Sequence, residues 1–470
     1  MTISDIVTGK VLVPESEPFM RGWAIARKNA APEIIDDVLC LRLKEIFDLF
    51  IMGSIIWYYE NGVYHPDRSG AVMKTVIRMH LPQECRKDPT ITRIHKLLLS
   101  DATLMVKDTD VNDHPKHWIN TRSGMFDVQQ WKLIDHDPKY RSINQIPHPF
   151  TGGEPSGEEG KVLQGFLDKA IPNKQDQTTV FEMTGVSCSV NTDFQKGVVF
   201  QGQGATGKST LLNVIEAAVG EVNTSSVPLQ KLESRFYPVQ LIGKLINICS
   251  DLPSARMEFT GNFKAITCGE SVIDSYKGKD EFCFRSNAKM WFSCNELPTI
   301  ADRSNGFYRR LVIITMNEKP EKPDPNLTKK LTDLKEINYF LYQSFKAYAA
   351  ALERGKITES EEALQAVQKY RCSNDTTEGF MQENYEVTDN KKDRVLRSDL
   401  YDGYEKYCGD LKTQALNPRN FYEVLRQKGF RETGINGSRY FCYLKEKPAT
   451  FSDEPATEED YLDVAEELFG

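Results

Sequence analysis

The sequence predicts an α/β fold: a parallel sheet built around a phosphate-binding loop, with an N-terminal α+β domain before it and a small module of helices and a hairpin after it. Three observations predict this. Residues 197–200 are a short apolar run of strand type, followed at once by a glycine-rich stretch and then by helical spacing at Leu211, Leu212, Val214, Ile215 and Ala218. Two more apolar runs, 245–249 and 289–294, lead directly into polar residues, Ser250-Asp251 and Asn295. A further apolar run, Leu311–Thr315, follows a pair of arginines. Open α/β sheets place their ligand-binding residues at the carboxyl ends of such strands.

Taken in order, residues 1–150 mix helical and strand-like segments. Residues 57–64 read as two short strands around an Asn61-Gly62 turn, and 124–128 with 131–134 as a second hairpin. The polar stretch 151–160 marks a boundary. Lys161–Ala170 and 178–190 read as helices leading to the glycine-rich loop, and the core runs to about Met316. A proline-rich loop, 320–325, precedes helices over 331–354 and 361–370. The expected domains are 1–150, 151–350, a helical linker 351–375, a module 376–448 and a tail 449–470.

The bulk numbers fit this plan. The chain has 470 residues, 40% hydrophobic and 27% charged, as expected of about two to four soluble domains. The longest apolar run, 46–59, contains Asp48 and falls short of the ~18 residues of a membrane span. The N-terminus lacks a basic region followed by an apolar stretch, so no secretory signal is expected. Ten cysteines with no C-x-x-C pair argue for a reducing, cytoplasmic compartment and against a zinc ribbon. The net charge of −8 sits in the tail: residues 451–470 hold eight acids and no Lys or Arg. That tail reads as a solvated end. The rest is formally neutral, which leaves room for local basic patches that bind nucleic acid.

The glycine-rich stretch is Gly202-Gln-Gly-Ala-Thr-Gly-Lys-Ser209, which fits G-x-x-x-x-G-K-[ST]. Gly202, Gly204 and Gly207 let the backbone curl so that several N–H groups point at one phosphate. The helix start, with Thr210 in its first turn, adds its positive dipole end. Lys208 suits the β and γ phosphates of ATP, and the Ser209 hydroxyl suits Mg²⁺. Asp251, 43 residues after Lys208, can hold the metal or polarise the attacking water, and Asn295 can orient that water. Arg309-Arg310 lie before a strand, where an arginine can act on a neighbouring subunit's site; Arg310 is the expected finger.

Together, Lys208-Ser209, Asp251, the run Lys-Met-Trp-Phe-Ser-Cys-Asn-Glu-Leu-Pro over 289–298 and Arg309-Arg310 resemble a superfamily 3 helicase. The run is similar to the helicase part of phage, plasmid, pathogenicity-island and poxvirus primase-helicases. The resemblance implies an AAA+ type core, a homohexameric ring and active sites between subunits. Residues 268–284 have the form of two strands around a Lys-Gly-Lys tip. In the family this hairpin grips one DNA strand in the central channel. Lys277 and Lys279 would then contact phosphates and Tyr276 would stack on a base or sugar. Two departures matter. Many relatives carry two acids where this chain has Ser250-Asp251, and 1–150 shows no carboxylate set for a primase. A helicase served by a separate primase is the expectation.

Residues 400–407 and 417–428 read as helices, and 439–444 as a strand after an Asn436-Gly437 turn. Helix, helix and hairpin suggest a winged helix. Seven basic residues fall between Lys412 and Lys445. Asn417, Arg419 and Asn420 would face base edges, and Lys428, Arg431 and Arg439 phosphates. The functional expectation is an ATP-driven replicative DNA helicase of a mobile element, a ring on single-stranded and forked DNA that loads itself at an origin. Two rivals remain at this point: a duplex-translocating or packaging ATPase, and an origin-binding protein using ATP as an assembly switch.

Overall fold

The computed structural model describes residues 2–447, except Arg303, Lys412 and Asn436. The expected tail 449–470, Lys412 and the first residue of the Asn436-Gly437 turn therefore lie outside the described residues. The chain divides between Val367 and Gln368, inside the segment expected as a linker. Residues 1–150 and 151–350, expected as two domains, lie in one compact unit.

That unit begins with two short helices (Ile3–Val7, Glu17–Met20), followed by a hairpin (Ala24–Arg27, Ala30–Ile34) and a helix (Asp36–Ile46). A three-stranded antiparallel sheet follows, Leu49–Met52, Ile55–Glu60 and Val63–Pro66. Asn61 and Gly62 turn its second hairpin with φ of 51° and 88°, the left-handed pair that an Asn-Gly turn supplies. Helices Ala71–Met79 and Asp88–Leu99 share a core with helix Asp36–Ile46 through Leu39, Leu43, Met73, Val76, Ile94 and Leu98. A second sheet, Trp118–Thr121, Gly124–Asp127 and Lys132–Ile134, adds one strand to the hairpin read from sequence. Its Phe126, with Phe150, belongs to the same buried cluster as Phe200, Leu212 and Phe345. Shared burial on this scale explains why no division falls near residue 150.

The central sheet has five parallel strands: β1 (Gly197–Gln201), β2 (Thr224–Ser225), β3 (Ile246–Cys249), β4 (Lys289–Cys294) and β5 (Leu311–Thr315). Their order is β2-β3-β4-β1-β5. Every residue of β4 and the first four of β1 are buried, as continuous apolar strands require when both faces are covered. Four helices serve this sheet: α1 (Lys161–Ala170), α2 (Lys174–Ser187), α3 (Lys208–Val219) and α4 (Leu334–Arg354). Gly185 lets α2 approach α4, since a Cβ there would lie 2.4 Å from the Ser344 carbonyl oxygen. The Tyr348 hydroxyl then meets Ser189 at 3.3 Å and Asn191 at 3.0 Å.

The second unit runs helix (Thr376–Asn384), strand (Arg394–Leu396), helix (Arg397–Asp410), helix (Pro418–Gln427), strand (Arg431–Ile435) and strand (Ser438–Cys442). The last strand lies between the other two in an antiparallel sheet. Short strands Tyr385–Val387 and Leu444–Glu446 pair beside it. Phe380, Leu400, Tyr404, Phe421, Leu425 and Phe441 form the core, with Tyr404 and Phe421 stacked at 4.2 Å.

Candidate functional site

The strand register brings the motif residues to one edge. Gln201 pairs in level with both Cys294 and Thr315, and Cys249 with Phe292. Gly202, Asp251, Asn295 and Met316 therefore all follow the carboxyl ends of adjacent strands. Leu252 N–H donates to the Ser293 carbonyl (2.9 Å) and Ser293 Oγ to the Ser250 carbonyl (2.5 Å), which pins the segment bearing Asp251 beside β4.

The loop itself is shaped by sterics. A Cβ on Gly202 would sit 2.0 Å from the Met316 carbonyl oxygen. Gly207, with φ of 92°, caps α3 and would meet the Phe166 ring at 2.9 Å. Gly204 differs: a Cβ there would meet nothing within 4 Å, so the space before it is open. Ala205 adopts φ of 66°, and Gln203, Gly204 and Ala205 are exposed. A curled, exposed backbone at the start of a twelve-residue helix is the concavity an anion needs.

Lys208 is buried, and its ammonium donates to the carbonyls of Gly202 (2.6 Å) and Gln203 (2.7 Å) and to Asn295 Oδ1 (3.3 Å). Burial pulls its pKa below the ordinary lysine value, while nearby Cys294 and Asp251 oppose that. Ser209 and Asp251 are exposed, and Thr210 is half-buried in the first turn of α3. The fold thus brings Lys208 and Asn295 into contact, with Asp251 close enough to be felt electrostatically.

The arginine pair behaves differently from expectation. Arg310 is 7% exposed and turned into its own chain: it donates to the Gly306 carbonyl and, at 2.7 Å, to Cys268 Sγ. Arg309 is exposed, and only its carbonyl is engaged, by Lys196 Nζ at 3.0 Å. Sequence reasoning missed Phe166 and Met316, which wall the loop, because nothing in their local pattern announces that contact.

The expected hairpin is present as Ser271–Asp274 paired with Phe282–Arg285. Val272 and Phe284 are buried. The Asp274 carboxylate anchors the base by accepting from Phe236 N–H (2.8 Å) and Val239 N–H (2.9 Å). Lys277 and Lys279 are exposed at the tip and make no ion pair among the described residues. Tyr276 stacks on Phe282 at 5.8 Å, an aromatic partner that sequence reasoning did not single out.

In the second unit, Arg419 and Asn420 are exposed at the start of Pro418–Gln427. Asn417 caps that helix, its side chain accepting from Asn420 N–H at 2.9 Å. Lys428, expected at phosphates, is instead bound to Asp375 (2.8 Å) and Glu378 (2.6 Å). Burial opposes its charge, but the two carboxylates win and raise its pKa. Arg439 lies 3.6 Å from Glu432, and Arg431 is exposed.

Fold and site together define a chain with a phosphate-loop-like α/β core. Residues 43–172 match the family model described as D5 N terminal like, and residues 200–310 match a family of unknown function, DUF5906. The chain is 24% identical over 322 residues to a provisionally named helicase of Acanthamoeba polyphaga mimivirus, covering 63% of this chain and 33% of that protein. It is 24% identical over 363 residues to another from Invertebrate iridescent virus 3, covering 68% and 38%. The chain thus spans about a third of the length of these curated relatives. Among solved structures, the apo C-terminal region of NrS-1 aligns over 86% of this chain and 97% of that one, at 13% identity and a TM-score of 0.48. In these matches the chain is similar to viral helicases and to the D5 N terminal like family, which supports a likeness to superfamily 3 type primase-helicases. No helix among the described residues is long and apolar enough to cross a membrane.

Proposed function

We propose that the chain is an AAA+ type ATPase that assembles as a homohexameric ring and separates DNA strands. The observation that carries this reading is the Lys208–Asn295 contact at the carboxyl edge of the sheet, beside the open space before Gly204. Lys208 neutralises charge on the β and γ phosphates of ATP, and Asn295 holds the attacking water in line. Asp251, exposed at the same edge, accepts the water's proton. Ser209 and Asp251 would also hold Mg²⁺, which when bound withdraws charge from the phosphates. The exposed lysines of the hairpin tip grip a single strand in the channel.

The order helix, strand, helix, helix, strand, strand in the second unit supports a winged helix, with Arg419 and Asn420 placed to read duplex DNA. Such a module brings the ring to an origin, making the protein a self-loading initiator in the cytoplasm, served by a separate primase. The test is steady-state ATP hydrolysis by the full chain. Lys208→Ala is expected to abolish turnover. Asn295→Ala is expected to bind ATP yet lose about 100-fold or more in rate. An Asn295→Ala variant with the wild-type rate would remove the carrying observation.

A further inference from the structure

In the second unit, strand alternation sorts the arginines into two groups. Glu432 and Phe441 share the inner face of the three-stranded sheet, and Phe441 is fully buried. Three arginines converge on Glu432: Arg397 (3.1 Å), Arg426 (3.0 Å) and Arg439 (3.6 Å). These three arginines share that one carboxylate partner. The outer face differs. The ladder sets Arg394 and Arg431 on either side of Cys442, so both point to the side away from Phe441. Both are exposed, and neither makes an ion pair among the described residues. The residues alternating with the inner set on these strands include no acid.

Each of these two guanidiniums lies over a tyrosine ring, Arg394 at 5.2 Å from Tyr440 and Arg431 at 5.8 Å from Tyr443. An arginine held over an aromatic face keeps its N–H edge free to fork a phosphate, with less entropy to lose on binding. Arg394 and Arg431 stand two strand spacings apart, about 10 Å. We propose that this outer sheet face, through Arg394 and Arg431, is a second nucleic-acid backbone site, separate from the Arg419–Asn420 helix start. It gives the module phosphate contacts other than Lys428, which Asp375 and Glu378 hold. The inference rests on the reading that the chain acts on DNA, and adds a surface to it.

The test is the salt dependence of binding by the full chain to a labelled duplex and to a labelled single strand, measured by fluorescence anisotropy. Removing two phosphate contacts makes the slope of log K against log salt shallower by about 1.8 on duplex, or about 1.4 on a single strand. Arg394→Gln/Arg431→Gln is expected to show that change on one or both probes, and the probe that shows it identifies which form the face holds. Arg394→Lys/Arg431→Lys is expected to keep the wild-type slope while binding more weakly, because the charge stays and the fork is lost. Wild-type binding with an unchanged slope in the glutamine variant overturns this site alone. Failure of the wild type to bind either probe overturns the motor reading with it.

Discussion

Arg309 and Arg310 are neighbours in sequence and opposites in environment. The strand β5 begins at Leu311, and the turn before it sends one guanidinium inward to Gly306 and Cys268 and leaves the other in solvent. A cation that acts on a neighbouring subunit's phosphates must be free to leave its own chain. Arg309→Ala is therefore expected to lose ATP turnover while still binding nucleotide. Mixing it with Lys208→Ala subunits should restore part of the activity, because the latter donate their Arg309 to intact sites. Arg310→Ala should instead lower thermal stability, since it strips a partner from Cys268 and Gly306. Full turnover by Arg309→Ala, with loss in a folded Arg310→Ala, would return the finger to Arg310. The sequence announced the pair but not which member faces out, because that depends on the turn geometry at 304–310. The Lys208, Asn295 and Asp251 constellation was legible in advance, because strand ends in a parallel sheet are level by construction.

At the scale of elements, the strands and helices around the phosphate loop follow directly from apolar runs and helical spacing, and the Asn61-Gly62 turn from its residue types. Other elements were hidden. Strand Trp118–Thr121 is short and contains polar Asn120 and Thr121, both buried, so its pattern does not read as a strand. Gly185 looks like an ordinary flaw in a helix, yet it sets the distance between α2 and α4. A methyl there meets the Ser344 carbonyl and the Tyr348 side chain, neither of which can yield without moving a helix. Gly185→Ala is expected to destabilise the chain by about 1–3 kcal/mol, read as a fall in the thermal or urea midpoint. No change in midpoint would mean that the two helices part freely, against the packing described. Lys428 makes the same point in the second unit: its place among the basic residues of 412–445 suggested a phosphate ligand, but Asp375 and Glu378 are brought to it only by the fold.

For the whole molecule, composition and motif order gave the class, while the division into units depended on packing that the linear sequence does not display. Phe126 and Phe150 lie before the polar stretch 151–160, yet they are buried with the residues of the parallel-sheet core. The region before the phosphate-loop core is therefore built into it, and a chain trimmed at residue 150 would expose that core. The chain spans about a third of its curated relatives, so strand separation by this chain is the claim that matters most. The most direct measurement is ATP-dependent unwinding of a forked DNA by the full chain, with Lys277→Ala/Lys279→Ala beside it. The wild type is expected to unwind the fork, and the variant to hydrolyse ATP without unwinding. A wild-type ring that hydrolyses ATP and never separates strands, or a variant that unwinds as well as the wild type, would contradict this expectation.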